Sequence, residues 1–322
     1  MMNKKRVLNL WAGLALGVAA AFSPALSRQV AVPQAKPAPA ASETAKAAPS
    51  AATPVQGYLC IIGGGGQLQP ILKRFIALAE RFQSGKIVIY LMASGVPMED
   101  GPSDVEDFKK AGAKNVVWAN LTRDQAMVQD NVDALNDAGG VYFEGGDQSR
   151  LTAALLDTPV LAKIKDLYRK GAVVGGTSAG AAVMSEVMIT GDEVRKPGGE
   201  EIECEKFRTI ESGNIITSRG FGFVTAAVID QHHIARKREN RLISVIGEHP
   251  DLLGVAINEN TAILVAPDET FEVVGESYAL ILDPGRAKIQ VLPTKQISIE
   301  NMGFHLLTPG TRYSLKTRQI LR

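Results

Sequence analysis

The sequence predicts an α/β fold: a mainly parallel, doubly wound sheet with a nucleophile elbow and a β-rich C-terminal portion. Three observations predict it. Short apolar runs alternate with stretches of helical spacing from residue 58 to residue 184, which is the pattern of β-α-β units. A turn of small residues with one hydroxyl at its tip, Gly175-Gly176-Thr177-Ser178-Ala179-Gly180, joins one such run to the next helical stretch. After Val255 the pattern changes to closely spaced short β runs.

The elements follow in order. Tyr58-Leu59-Cys60-Ile61-Ile62 reads as a buried strand that ends in four glycines, residues 63–66. Leu72, Phe75, Ile76 and Ala79 recur at helical spacing and predict a helix over 71–82. A strand over 87–91, a helix over 104–111 and strands over 116–118 and 140–143 come next. Helices over 151–156 and 159–170 lead into the strand Ala172-Val173-Val174 that carries the elbow. A later apolar strand ends at Asp230. Short β runs at 262–265, 270–274 and 278–282 either extend the main sheet or form a small antiparallel layer. Residues 308–322 are basic and expected to be mobile. No internal repeat is visible, and residues 57–322 read as one domain.

The elbow suggests chemistry. Glycines permit a sharp turn and close backbone approach. Ser178 is pushed out at the end of its strand, and the helix that follows offers backbone N–H groups and a positive dipole end to a developing oxyanion. Thr177 breaks the Gly-x-Ser-x-Gly spacing, so a purely structural Gly-rich bend is the alternative. A second cluster lies at Asp230-Gln231-His232, where a strand ends and ligands gather in open α/β sheets. His232 is there a candidate general base. Arg236, Arg238 and Arg241 follow, with Arg238 and Arg241 three apart on one helical face; the alternative is a solvated basic helix. With four histidines and no Cys/His pairing at ligand spacing, no metal site is expected.

Four ordered motifs give the chain a family resemblance. These are the elbow, the Asp230-Gln231-His232 run with its arginines, Phe143-Glu144-Gly145-Gly146-Asp147-Gln148, and Gly254-Val255-Ala256-Ile257-Asn258-Glu259-Asn260-Thr261-Ala262. Together they resemble the cyanophycinases, serine peptidases related to aspartyl dipeptidases, over roughly residues 57–285. The resemblance implies that Ser178 attacks the scissile carbonyl and that His232 takes its proton and returns it to the leaving amine. It implies Glu259 as the carboxylate that orients His232, with Glu201, and beside it Glu200 and Glu203, as the rival acid in a long loop. An oxyanion hole would join the Ala179 N–H to one from the Gly145-Gly146 turn.

The implied substrate is cyanophycin, a poly-aspartate carrying arginine on each β-carboxyl, and the implied product is the β-Asp-Arg dipeptide, released by exopeptidase action. Arg236, Arg238 and Arg241 would meet backbone carboxyl groups, and Gln148, Asp230 and Gln231 the guanidinium groups. The resemblance also implies a homodimer and no cofactor. Two other readings stand beside it: a related serine dipeptidase for short Asp-containing peptides, and a non-catalytic binding protein of the same fold, with a nucleotide at residues 63–66 as its candidate ligand. The latter run lacks the Gly-x-Gly-x-x-Gly spacing.

Composition and the N-terminal residues suggest a compartment. Lys4-Lys5-Arg6 precede a short apolar stretch, and Ala25-Leu26-Ser27 offers a small-x-small cleavage site, so residues 1–27 read as a signal peptide. An uncleaved anchor is the alternative. Residues 28–56 are dominated by Ala and Pro and are expected to be a disordered linker. An exported enzyme, periplasmic or extracellular, is the expectation, unlike the intracellular members of the family. The 322 residues carry a net charge of +1; loss of Lys4, Lys5 and Arg6 leaves 32 cations against 34 anions. That balance argues against nucleic acid as a partner. Of the two cysteines, Cys60 and Cys204, neither is expected to pair.

Overall fold

The computed structural model describes residues 54–194 and 209–322. The signal peptide expected at 1–27, nearly all of the linker expected at 28–56, and Glu200, Glu201, Glu203 and Cys204 lie outside the described residues.

The first half is built of β-α-β units. Its strands are β1 (Tyr58–Ile62), β2 (Lys86–Tyr90), β3 (Val116–Ala119), β4 (Ala138–Phe143) and β5 (Val173–Thr177). Between them run α1 (Gln69–Ala79), α2 (Pro97–Lys110), the short α3 (Arg123–Ala126) and α4 (Gln129–Asp133), then α5 (Gln148–Leu155) and α6 (Pro159–Lys170). A single turn, α7 (Ala179–Ala182), follows β5. The five strands are parallel in the order β1-β5-β4-β2-β3. Helix α2 begins seven residues before the predicted 104. Pro97 is pre-set for a first helical turn, Glu99 and Asp100 sit at its positive end, and Lys109 and Lys110 at its negative end.

The second half contains β6 (Val187–Glu193), β7 (Ile215–Arg219), β8 (Ala227–Gln231), α8 (Glu239–Glu248), β9 (Leu253–Ile257), β10 (Thr261–Val265), β11 (Thr270–Gly275) and β12 (Ala279–Asp283). It ends with β13 (Lys288–Val291), β14 (Ile297–Glu300), β15 (Gly303–Leu307), β16 (Arg312–Ser314) and β17 (Gln319–Leu321). Both outcomes foreseen for the late β runs occur. β10, β11, β16 and β17 extend the main sheet antiparallel from β1, giving nine strands. β12 joins β8, β9 and β15 in a separate four-stranded sheet, with β8 and β9 parallel. The basic C-terminal residues are not a loose tail. Tyr313 is buried with its ring 5.5 Å from Phe271, Leu315 is buried, and Arg318 pairs with Asp283 at 2.9 Å. Those anchors were hidden by the surrounding charges.

Both faces of the main sheet are covered. On one, Ile71, Leu72, Phe75 and Ile76 of α1 and Phe108 of α2 pack on Cys60, Ile62, Ile87 and Ile89. Phe75 meets Phe108 and Tyr142 edge to face at 5.8 and 5.6 Å, a geometry worth about 1 kcal/mol per pair beyond burial. On the other face α5, α6 and α7 pack on Leu59, Ile61, Val141 and Val174, and this core continues into Ile229, Val255, Ile257 and Ile281 of the smaller sheet. Helix α8 seals the far side of that sheet through Leu242, Val245 and Ile246. Burial therefore holds the two sheets together, with the C-terminal end of β1 at their seam.

Candidate active site

Three chain segments meet at that seam. The first is the elbow. Ser178 stands between β5 and α7 at φ +53°, ψ −109°, a backbone state that side chains rarely adopt and that marks stored strain. Its N–H donates to the Ile62 carbonyl at 3.1 Å, which ties the elbow to the end of β1. The helix behind it is only four residues long, so its dipole adds less than the sequence suggests. The Ala179 N–H remains, with no acceptor in its own helix.

The second segment follows β8. His232 has φ +50°, and its N–H donates to the Gly63 carbonyl at 2.8 Å. Its Nε2 lies 2.9 Å from Ser178 Oγ, and its Nδ1 lies 2.6 Å from Glu259 Oε1. Glu259 comes from the third segment, residues 258–260, where the chain passes from β9 in the small sheet to β10 in the large one. The three side chains expected from sequence thus form one hydrogen-bonded line. A hydroxyl, an imidazole and a carboxylate so linked can activate the oxygen as a nucleophile. Burial draws the His232 pKa below its ordinary value, Glu259 works against that, and Arg236 and Arg238 add to the lowering. The balance favours the neutral form of the imidazole.

The glycines at 63–66 have a different use from a phosphate cradle. A Cβ on Gly64, at φ +97°, would sit 2.1 Å from the His232 ring. Glycine is what lets the imidazole lie against this loop. The Gly145-Gly146 turn runs beside the nucleophile: a Cβ on Gly145 would lie 3.4 Å from Ser178 Cβ. Gly146, at φ +127°, would drive a Cβ into the Ala93 carbonyl at 2.1 Å. The Gly145 N–H donates to Glu144 Oε1 at 2.9 Å. Burial, aided by the neighbouring Asp104 carboxyl, pushes the Glu144 pKa up to about 8 against the pull of that N–H. Asp104 rises to about 7 through burial and the charges of Asp100 and Asp107.

The polar cluster needs correction at several positions. Arg238 stands at the N-cap position just outside α8, with no side-chain capping bond, and Arg236 lies in the preceding turn, so Arg238 and Arg241 do not share a helical face. Asp230 and Arg241, at 0 % and 1 % exposure, are closed on each other: Arg241 Nε donates to Asp230 Oδ1 at 3.0 Å, and its Nη2 bonds the same oxygen. His233 Nδ1 lies 3.1 Å from Asp230 Oδ2. Burial alone would raise the Asp230 pKa, but Arg241 and His233 hold it well below the usual carboxylate range. This buried pair fixes the β8 end to α8; it has no free face for a ligand. Gln148 is also buried, its amide donating to the Ile189 carbonyl at 2.9 Å and to Thr190 of β6. Gln231 is buried and accepts from Arg238 Nη1 at 2.6 Å. Arg236 is exposed and Arg238 half-buried at the rim. Cys60 is a buried strand residue whose thiol is pushed up to about 12 by desolvation. Sequence reasoning gave no role to Glu144, Asn258 or Asn260, because no local pattern distinguishes such residues from turn formers.

An elbow serine, an imidazole and a carboxylate at the carboxyl ends of an α/β sheet belong to the class of serine-type hydrolases. The family profile of "Peptidase family S51" matches residues 59–273. A cyanophycinase of Geminocystis herdmanii is 32% identical over 240 residues, which cover 72% of this chain and 84% of that protein. A cyanophycinase of a Nostoc strain is 32% identical over 270 residues, covering 81% and 86%. The crystal structure of a peptidase from an acI-B1 actinobacterium shares the fold, with a TM-score of 0.59 at 20% identity over 81% of this chain and 98% of that one. The chain belongs to peptidase family S51, and it is a serine-type peptidase.

Proposed function

We propose that this peptidase is a cyanophycinase, with Ser178 as nucleophile, His232 as general base and acid, and Glu259 as the orienting carboxylate. The observation that carries the assignment is the unbroken line from Ser178 Oγ through His232 to Glu259. The two relatives of that name, aligned over most of their length, support the substrate.

In this mechanism His232 Nε2 takes the Ser178 proton as Oγ attacks the backbone carbonyl of an aspartyl residue. The Ala179 and Gly146 N–H groups receive the oxyanion. Glu259 stabilises the imidazolium, which then protonates the leaving amine; water enters by the same route and hydrolyses the Ser178 ester, and cleavage one unit from a chain end frees β-Asp-Arg. Arg236 and Arg238, at the rim, meet substrate carboxylates, and Asp230 with Arg241 supports that rim from beneath. Gln148 and Gln231 shape the cleft wall. The N-terminal charge and apolar pattern supports export, and with it action on polymer outside the cell.

The test is incubation of the purified protein with insoluble cyanophycin beside a Ser178→Ala control, with soluble products read by mass spectrometry. Release of β-Asp-Arg by the wild type alone is the expected result. A folded wild type that releases nothing from the polymer, yet cleaves short aspartyl peptides, would replace this substrate with those peptides.

A further inference from the structure

Glu259 is held by something other than packing. Its side chain keeps 36 % exposure, against 7 % for His232, and its carboxylate bonds the imidazole across the seam of two sheets. A half-open carboxylate on a three-residue connection has rotamers and backbone states to lose before it can orient anything. The residues on either side of it are both asparagines, and both are anchored. Asn258 Oδ1 accepts from the Ala235 N–H at 3.2 Å, in the turn that follows His232, and its Nδ2 donates to Ser277 Oγ at 2.8 Å. Asn260 Oδ1 accepts from the Gln67 N–H at 3.0 Å, just past the glycine loop that cradles the imidazole. The Asn260 N–H donates to the Gly64 carbonyl at 2.8 Å, and its Nδ2 reaches Glu276 at 3.3 Å. Asn260 has φ +54°, a state asparagine tolerates better than most residues.

We propose that Asn258 and Asn260 are positioning residues that set the Glu259 carboxylate against His232, one bracing it to the histidine turn and the other to the glycine loop. This rests on the triad assigned above. The two braces run to different segments, so both walls of the imidazole slot are fixed relative to its carboxylate. Loss of either brace frees the connection, weakens the hydrogen bond to Nδ1, and removes the interaction that raises the His232 pKa against burial, Arg236 and Arg238.

The experiment compares wild type, Asn258→Ala, Asn258→Asp and Asn260→Gly, with Glu259→Gln as reference. Glycine keeps the positive φ at 260 while removing the side chain. Aspartate keeps the Oδ1 acceptor at 258. Readouts are melting temperature, kcat and KM on a soluble synthetic segment of the polymer, and NMR titration of the His232 ring, assigned by its loss in His232→Ala. Expected are a roughly 10–100-fold fall in kcat with KM little changed for Asn258→Ala and Asn260→Gly, a His232 titration moved to lower pH, and recovery of kcat in Asn258→Asp. The NMR titration does not depend on the substrate, so a wild type inactive on the polymer would count against the proposed function and leave this measurement intact. Variants with a lowered melting temperature but wild-type kcat and His232 titration would overturn the proposal. So would a rise in KM with the titration unmoved, since that would make the asparagines substrate contacts. If Asn260→Gly does not fold, the two Asn258 variants decide the matter.

Discussion

At the scale of single residues the site is a contest between strain and bonding. Ser178 and His232 both occupy positive φ, and each is held there by a hydrogen bond to the end of β1. Such strain persists where the surroundings over-determine it, and here it aims two reactive groups at each other. The orienting acid is the residue to test. Glu259→Gln should lower kcat by roughly 10³–10⁴-fold with little change in melting temperature, because the amide cannot stabilise the imidazolium. Glu201→Gln should leave turnover near wild type. The pH profile offers a second check. His232 must be neutral to act, and burial lowers its pKa. The acid limb of kcat/KM should therefore lie below the ordinary 6.5, with activity falling only as His232 becomes protonated beneath that value.

At the scale of elements the β8–α8 connection separates two kinds of arginine. Arg241 lies inside α8 and is buried on Asp230; Arg236 stands in solvent before the helix begins. Removing one partner of a buried ion pair leaves the other charge uncompensated, at a cost of about 3–5 kcal/mol. Arg241→Met should accordingly lower the melting temperature by roughly 10 °C. Arg236→Ala should leave it unchanged and instead raise KM for the polymer by about tenfold, through loss of a carboxylate contact. Thermal melts and steady-state kinetics on the two variants would check this. Equal melting temperatures would show that the buried pair does not brace the connection.

At the scale of the whole molecule, two half-buried carboxyl groups link stability to pH. Glu144 rises from 4.5 to about 8 and Asp104 from 3.8 to about 7. Between the unfolded and folded values the native chain binds more protons than the unfolded one. Stability contributed by these groups is thus complete below about pH 4 and is lost as pH rises toward 8. Glu144→Gln keeps the shape and removes one titration. Its melting temperature should match wild type near pH 4 and exceed it by about 2–5 °C at pH 8.5. A parallel pH dependence in both proteins would show that Glu144 is not a source of the loss.

The amino-acid sequence determined by itself what local pattern can carry. Apolar runs and helical spacing placed the alternating strands and helices, because burial of one face demands that periodicity. Ser178, His232 and Glu259 were legible because each stands in a short motif with a recognisable turn. What only the tertiary structure decided were relations between distant segments. That β10 and β12 part company into two sheets, that residues 308–322 fasten to the sheet edge, and that Asp230 and Arg241 pair in the interior follow from which surfaces meet in space. So do the placing of Gly64 under the imidazole and the two asparagines that flank Glu259. A side chain's charge or amide is written in the sequence, but whether it faces solvent, substrate or a partner 193 residues away is set by packing, which no local pattern records.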